Sequence, residues 1–243
     1  MEEGFERYHP DMEALRGAVL GSSAGQRVMN LREAHREKVA RNEVRVSPLW
    51  AQPSRGYNVH IELDPHAKAS LGKTQQRLKQ AEPNLLVCPQ ETLHVTLAWL
   101  LAVHVSYPVA KDSLWERHAE EWTTELNRIA AESLGFRIAY ERVVATDSGV
   151  IALAEPTEPV NRIRRMIRER LRLPPETRNE ADLVHTTLFR YHGPLSDPEN
   201  FLAMLEDTSA EAATEVDELV ISKELVYPSL EAEVLARLPL AHR

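Results

Sequence analysis

The sequence predicts an α+β fold in which strands of antiparallel sheet are interspersed with a few helices. Two observations carry this. From Tyr57 onward the apolar spacing switches between periods of two and about 3.6 residues, in the order β-α-β-α-β-β-α-β-α-β-β. Several connections read as hairpins, the clearest being TDSG at 146–149 between two apolar runs.

The elements follow in order. YNVHIEL alternates Tyr57, Val59, Ile61 and Leu63 against Asn58, His60 and Glu62, the pattern of a half-buried strand in which His60 is a solvated or hydrogen-bonded residue. HAKASLGKTQQRLKQA is a helix despite Gly72, and TLHVTLAWLLAV a strand. SLWERHAEEWTTELNRIAAESLG is a long amphipathic helix stopped by Gly135. FRIAYERVVA and VIALAEP are the two strands of the hairpin, and EPVNRIRRMIRERLRL is a helix ended by Pro174 and Pro175. DLVHTTLFRYH is a strand. DPENFLAMLED is a short helix capped by Ser196 or Asp197, with Pro198 in its first turn. VDELVISKELVYP and EAEVLARLPL close the chain as strands. Residues 1–54 form a separate helical extension: DMEALRGAVL and VMNLREAHREKVAR have helical spacing, broken by Gly21, Ser22 and Ser23. Such a segment can serve a partner or cover a sheet edge.

Composition narrows the function classes. In 243 residues, 43% are hydrophobic, enough for a core, and no apolar run is long enough to span a membrane. The acidic start, MEEGFERYHP, has no signal core, and the single cysteine, Cys88, excludes an internal disulfide; both fit the cytoplasm. Cys88 reads as a small buried hydrophobe. A net charge of −8 argues against an extended nucleic-acid surface. The arginines at 162, 164, 165, 168, 170 and 172 fall all round their helix, are interrupted by Glu169, and read as a solvated face; the acidic stretch from Glu206 to Glu224 agrees. There is no Gly-rich phosphate loop, no HExxH and no Cys/His metal spacing, so neither metal nor cofactor is expected.

One short phrase occurs twice: HVTL at 94–97 and HTTL at 185–188. Both fall in predicted strands, where residues i and i+2 share a face. His94 and Thr96 therefore stand together, as do His185 and Thr187, while Val95, Leu97, Thr186 and Leu188 turn to the core. Phe189 and Tyr191 share the parity of His185. A weaker match, His104-Val105-Ser106-Tyr107, lies beyond the first strand and is set aside. Two imidazoles that titrate near neutrality suit general acid-base catalysis, one ring taking a proton and the other giving one. Thr hydroxyls suit the non-bridging oxygens of a phosphate. The chemistry indicated is phosphodiester cleavage without a metal.

These residues resemble the 2H phosphoesterase superfamily, which includes LigT-like RNA 2',3'-cyclic phosphodiesterases and 2'-5' RNA ligases. The resemblance covers about residues 55–240. It implies two pseudo-symmetric lobes of antiparallel sheet with outer helices and a central groove. It implies His94 and His185 as the acid-base pair and Thr96 and Thr187 as phosphate-binding hydroxyls. Arg190, five residues after His185, stands where LigT-like members often carry an anion-holding Arg; an outward charge on the strand is its alternative. Trp99 has the same place after His94, with core packing as its default. Phe189 and Tyr191 are expected to flank a base or ribose. Ala232 stands near a Tyr position of many LigT-like members, and the Gly of their last turn is missing. The implied activity is metal-independent hydrolysis of a 2',3'-cyclic phosphate or similar small cyclic phosphodiester, on a small nucleotide or RNA end, by a monomer. Cleavage or ligation of 2'-5' oligonucleotides, and nucleotide or RNA-end binding without turnover, are the alternatives.

Overall fold

The computed structural model describes residues 33, 35–177 and 183–242. The expected helix at 11–20 lies outside these residues, as does the start of the one at 28–41, which is helical from His35 to Ala40. The elements that follow are β1 (Pro53–Glu62), α1 (Pro65–Ala81), β2 (Leu85–Val87), β3 (His94–Leu101), α2 (Lys111–Ala131), β4 (Phe136–Thr146), β5 (Gly149–Glu155), α3 (Glu158–Arg170), β6 (His185–Tyr191), α4 (Pro198–Glu206), β7 (Ala212–Val216), β8 (Glu218–Val226) and β9 (Glu231–Pro239). The α+β class stands. Two strands were not foreseen: β2 has three residues, and β7, AATEV, lies in the acidic stretch and lacks a strong apolar alternation.

Two antiparallel sheets result, one of order β3-β1-β8-β9 and one of order β2-β6-β5-β4-β7. The orders match strand for strand: β3 with β6, β1 with β5, β8 with β4, β9 with β7, and β2 added beside β6. In each half a strand leads through a helix to its antiparallel neighbour, β1 through α1 toward β3 and β5 through α3 to β6. The helices are exchanged. α1 leaves the first sheet and packs on β7, β2 and β6 of the second, while α3 leaves the second and packs on β3 of the first and on α2. α2 lies over β9 and β1, and α4 over β4.

Local sequence explains the helix starts. The Asp64 carboxylate accepts from the Ala67 N–H at 2.8 Å with Pro65 in the first turn, and Asp197 does the same for Asn200 at 3.1 Å. Gly72 sits mid-helix because the Gln90 side chain occupies its flank: a Cβ there would lie 2.0 Å from Gln90 Nε2. The core holds Trp122, Tyr57, Tyr140, Tyr191 and Phe189, all fully buried. Tyr57 stacks on Trp115 of α2, centroids 4.8 Å apart, and donates to the Asp112 carboxylate at 2.6 Å. Cys88 is buried as expected, and burial pushes its thiol up to about 11.

The segment before β1 is pinned at the β4–β5 turn. The buried Asp147 carboxylate accepts from Lys38 Nζ at 3.2 Å and Arg45 Nη2 at 3.0 Å, with His35 Nδ1 at 3.4 Å. Burial alone would raise its pKa, yet these partners hold it well below the usual carboxylate range. Val46 then forms a parallel bridge to Tyr191. Among the described residues no helix is long and apolar enough to cross a membrane.

Candidate active site

β3 is the edge strand of its sheet and lies against β6 of the other. Both repeated phrases start these strands, and the seven residues from each His share one burial pattern: His, Thr and the residue five after the His are half-buried, and the four others are buried. The pattern departs from plain alternation because both strands bulge at the Leu of the phrase. On β3, Thr96 pairs with His60 and Ala98 with Val59, which leaves Leu97 extra. On β6, Thr187 pairs with Ile151 and Phe189 with Val150, which leaves Leu188 extra. A bulge shifts every later side chain to the opposite face. Trp99 and Arg190 therefore return to the face of the histidines.

This corrects the parity expected for Phe189 and Tyr191. Beyond the bulge both turn inward, both are fully buried, and the Tyr191 hydroxyl donates to the Thr146 carbonyl at 2.8 Å. Neither lines the groove. Gly149 makes room for the bulged strand, since a Cβ on it would come within 2.4 Å of the Phe189 carbonyl oxygen. His104 lies in the turn after β3, outside both motif strands.

A buried side chain holds each bulge, from the helix that crossed over. Gln75 of α1 donates through Nε2 to the carbonyls of Leu188 at 2.9 Å and Cys88 at 2.7 Å. Arg164 of α3 donates through Nε to Leu97 O at 3.2 Å, through Nη2 to Thr96 O at 2.7 Å and through Nη1 to Leu183 O at 3.0 Å. Arg164 is 2% exposed, which corrects its reading as part of a solvated face; Arg162, Arg165, Arg168, Arg170 and Arg172 are not buried. The signal available was its place in the apolar stripe, between Ile163 and Ile167. Thr186 closes the joint. Its hydroxyl donates to the His94 carbonyl at 3.0 Å and accepts from Tyr140 at 2.7 Å.

The groove face follows from the register, because directly paired residues share a face. In the first sheet it carries His94, Thr96 and Trp99, then Glu62, His60 and Asn58, then Ser222. In the second it carries His185 beside Leu153 and Thr187 beside Ile151; with Val144 and Leu183 these form a small apolar cluster separate from the main core. Arg190 donates to Ser148 O at 3.1 Å from the same side. His60 was not among the expected site residues. Its ring centroid lies 5.0 Å from that of His94, tilted by 59°. Alternation had put it on the outer face of β1, but no single-strand pattern could tell that this face meets the motif.

Both motif histidines are held in the neutral form. Burial pushes His185 down to about 4, helped by the Arg164 and Arg190 charges; the Leu183 carbonyl opposes this without closing a full hydrogen bond to Nδ1. Burial also lowers His94, opposed by its hydrogen bond to Thr92. Nδ1 of His94 donates to the Thr92 carbonyl at 2.8 Å, so the lone pair of the neutral ring sits on Nε2. Among the described residues no group of three or more His, Cys, Asp or Glu side chains could hold a metal ion.

Solved structures share this fold. One from Thermus thermophilus, TT0787, is 17% identical and covers 77% of this chain and 99% of its own, with a TM-score of 0.56. LigT of E. coli in apo form is 13% identical over 78% of this chain and 99% of its own, with a TM-score of 0.53. The chain has the LigT-type fold. The same E. coli protein complexed with 3'-AMP gives 14% identity, 77% and 99% coverage and a TM-score of 0.51. No protein-family model and no curated protein matches the sequence. In the LigT-type fold of this chain, the two sheets of the sequence-based expectation are present with four and five strands.

Proposed function

We propose that the chain is a 2H phosphoesterase that hydrolyses a 2',3'-cyclic phosphate or a similar small cyclic phosphodiester. The observation that carries this reading is the twofold presentation of His, Thr and the residue five after the His, by two strands bulged at the same place and bonded to each other. Thr96 and Thr187 offer hydroxyls, and Arg190 a charge, to the phosphate oxygens. Before substrate enters, both imidazoles are neutral near pH 7. A bound phosphate anion favours a charged imidazole beside it, so one ring gains a proton as substrate binds. That ring protonates the leaving ribose oxygen while the other takes a proton from the attacking water. The water oxygen bonds to phosphorus, the ring P–O bond breaks, and a phosphomonoester leaves. The 3'-AMP held by the E. coli protein is a small nucleotide of the class this groove would take.

The test is a panel of the four 2',3'-cyclic nucleotides, with chelator and no added metal, followed by phosphorus NMR. Conversion to a monoester that disappears in His94→Ala and His185→Ala is expected. Full rates in either variant would refute the pair.

A further inference from the structure

We infer that His60 is a third imidazole of the site, which accepts a hydrogen bond from the attacking water and so gives His94 the role of general base. The inference rests on the cyclic phosphodiesterase reading above.

The geometry comes from the centre of the first sheet. His60 on β1 is paired with Thr96 of the motif strand, and its ring packs against that of His94. On its other side Asn58 and Ser222 form a buried polar group. The His60 Nδ1 lies 2.9 Å from Asn58 Oδ1 and 3.3 Å from Ser222 Oγ, and Ser222 donates to the same Asn58 oxygen at 3.1 Å. A carboxamide oxygen only accepts, so Nδ1 of His60 carries the proton and Nε2 carries the lone pair. The anchor is an amide and not a carboxylate, so it gives the imidazolium no compensating charge. His60 is buried, which disfavours a charge on its ring, and His94 and the Arg237 and Lys68 charges add to this. His60 is therefore a fixed acceptor beside His94, whose Nε2 is also an acceptor.

Two acceptors side by side match one water, which has two protons. His94 Nε2 removes one proton as the oxygen bonds to phosphorus. The second proton points to His60 Nε2 and remains on the new P–OH, which later loses it to solvent. His185 supplies the proton for the leaving oxygen. His60 transfers no proton; it orients the nucleophile.

An alternative nucleophile separates this from a structural role. Methanol has one proton, so His94 can activate it but nothing remains for His60 to accept. Hydrolysis and methanolysis of 2',3'-cyclic AMP in a water–methanol mixture give a monoester and a methyl diester, which phosphorus NMR resolves in one tube. Their ratio comes only from folded, active molecules. In His60→Leu, which lacks an acceptor, and His60→Met, whose thioether is only a weak one, the hydrolysis-to-methanolysis ratio is expected to fall about fivefold or more, the worth of one hydrogen bond. In His60→Gln, which restores an acceptor, the ratio stays within about twofold of wild type. A slowed leucine or methionine variant with the wild-type ratio would overturn the role of His60 and leave the parent reading intact. No turnover by wild type would overturn the parent reading and this one with it.

Discussion

The Thr186 hydroxyl donates to the His94 carbonyl at 3.0 Å, so the second residue of one motif is bonded to the first residue of the other. Tyr140 completes the chain at 2.7 Å. Thr186→Val keeps the shape and removes both bonds, leaving a buried carbonyl and a buried phenol short of partners. We expect a loss of about 1–3 kcal/mol in urea unfolding, together with a fall in kcat as β3 loosens against β6. An unchanged unfolding midpoint would mean that the two strands are held by packing alone.

Arg164 should act on stability and on titration at once. Arg164→Met leaves the carbonyls of Thr96, Leu97 and Leu183 without their donor and is expected to cost roughly 3 kcal/mol. It also removes the charge that, after burial, does most to depress His185. The His185 titration followed by NMR should therefore move up toward the ordinary histidine value. A shift in the other direction would contradict the electrostatic account.

Acid should weaken the fold through its buried histidines. His60, His94 and His185 all have folded-state pKa values below the ordinary 6.5. In the unfolded chain they bind protons as the pH drops through about 6.5, while folded His185 waits until about 4. The unfolded state thus holds more protons in this window, and stability rises with pH across it. His185 alone accounts for at most about 3 kcal/mol. Urea midpoints at pH 7.5, 6 and 5 should descend in that order, and a flat series would mean solvated imidazoles. Asp147 adds its own loss at lower pH, because its depressed carboxylate stabilises the fold above the unfolded carboxylate value and ceases to do so as it is protonated.

Phe189 and Tyr191 give the reverse prediction. Tyr191→Phe removes one buried hydrogen bond, worth about 1 kcal/mol. Phe189→Leu repacks a core position. Both should lower the melting temperature and leave KM for a cyclic nucleotide within about twofold, since neither ring reaches the groove. A tenfold rise in KM for either would restore them to the binding surface.

The two histidines and two threonines could be singled out in the sequence because one phrase was written twice and alternation told which residues stand together. Alternation was also what misled. It holds only while strands pair one to one, and a bulge is fixed by which carbonyls find donors, here Gln75 and Arg164 from distant helices. Nothing within HTTLFRY marks Leu188 as the extra residue, so Phe189, Tyr191 and Arg190 were each assigned the wrong parity or left open. Arg164 is one of six arginines on or just after its helix, set apart by its place in the apolar stripe and by the three carbonyls it meets. Strands β2 and β7 escaped notice because their pairing comes from tertiary neighbours and not from their own apolar pattern.

The exchange of α1 and α3 between the sheets makes the halves interlocked. Each half supplies the roof of the other, so neither has a complete hydrophobic interior by itself. The protein should melt in a single cooperative step. Hinging one half away would have to break the packing of α1 and α3 on the opposite sheets as well as the β3–β6 joint. Any opening between the sheets must then come from side chains and loops, with the helix packing left intact.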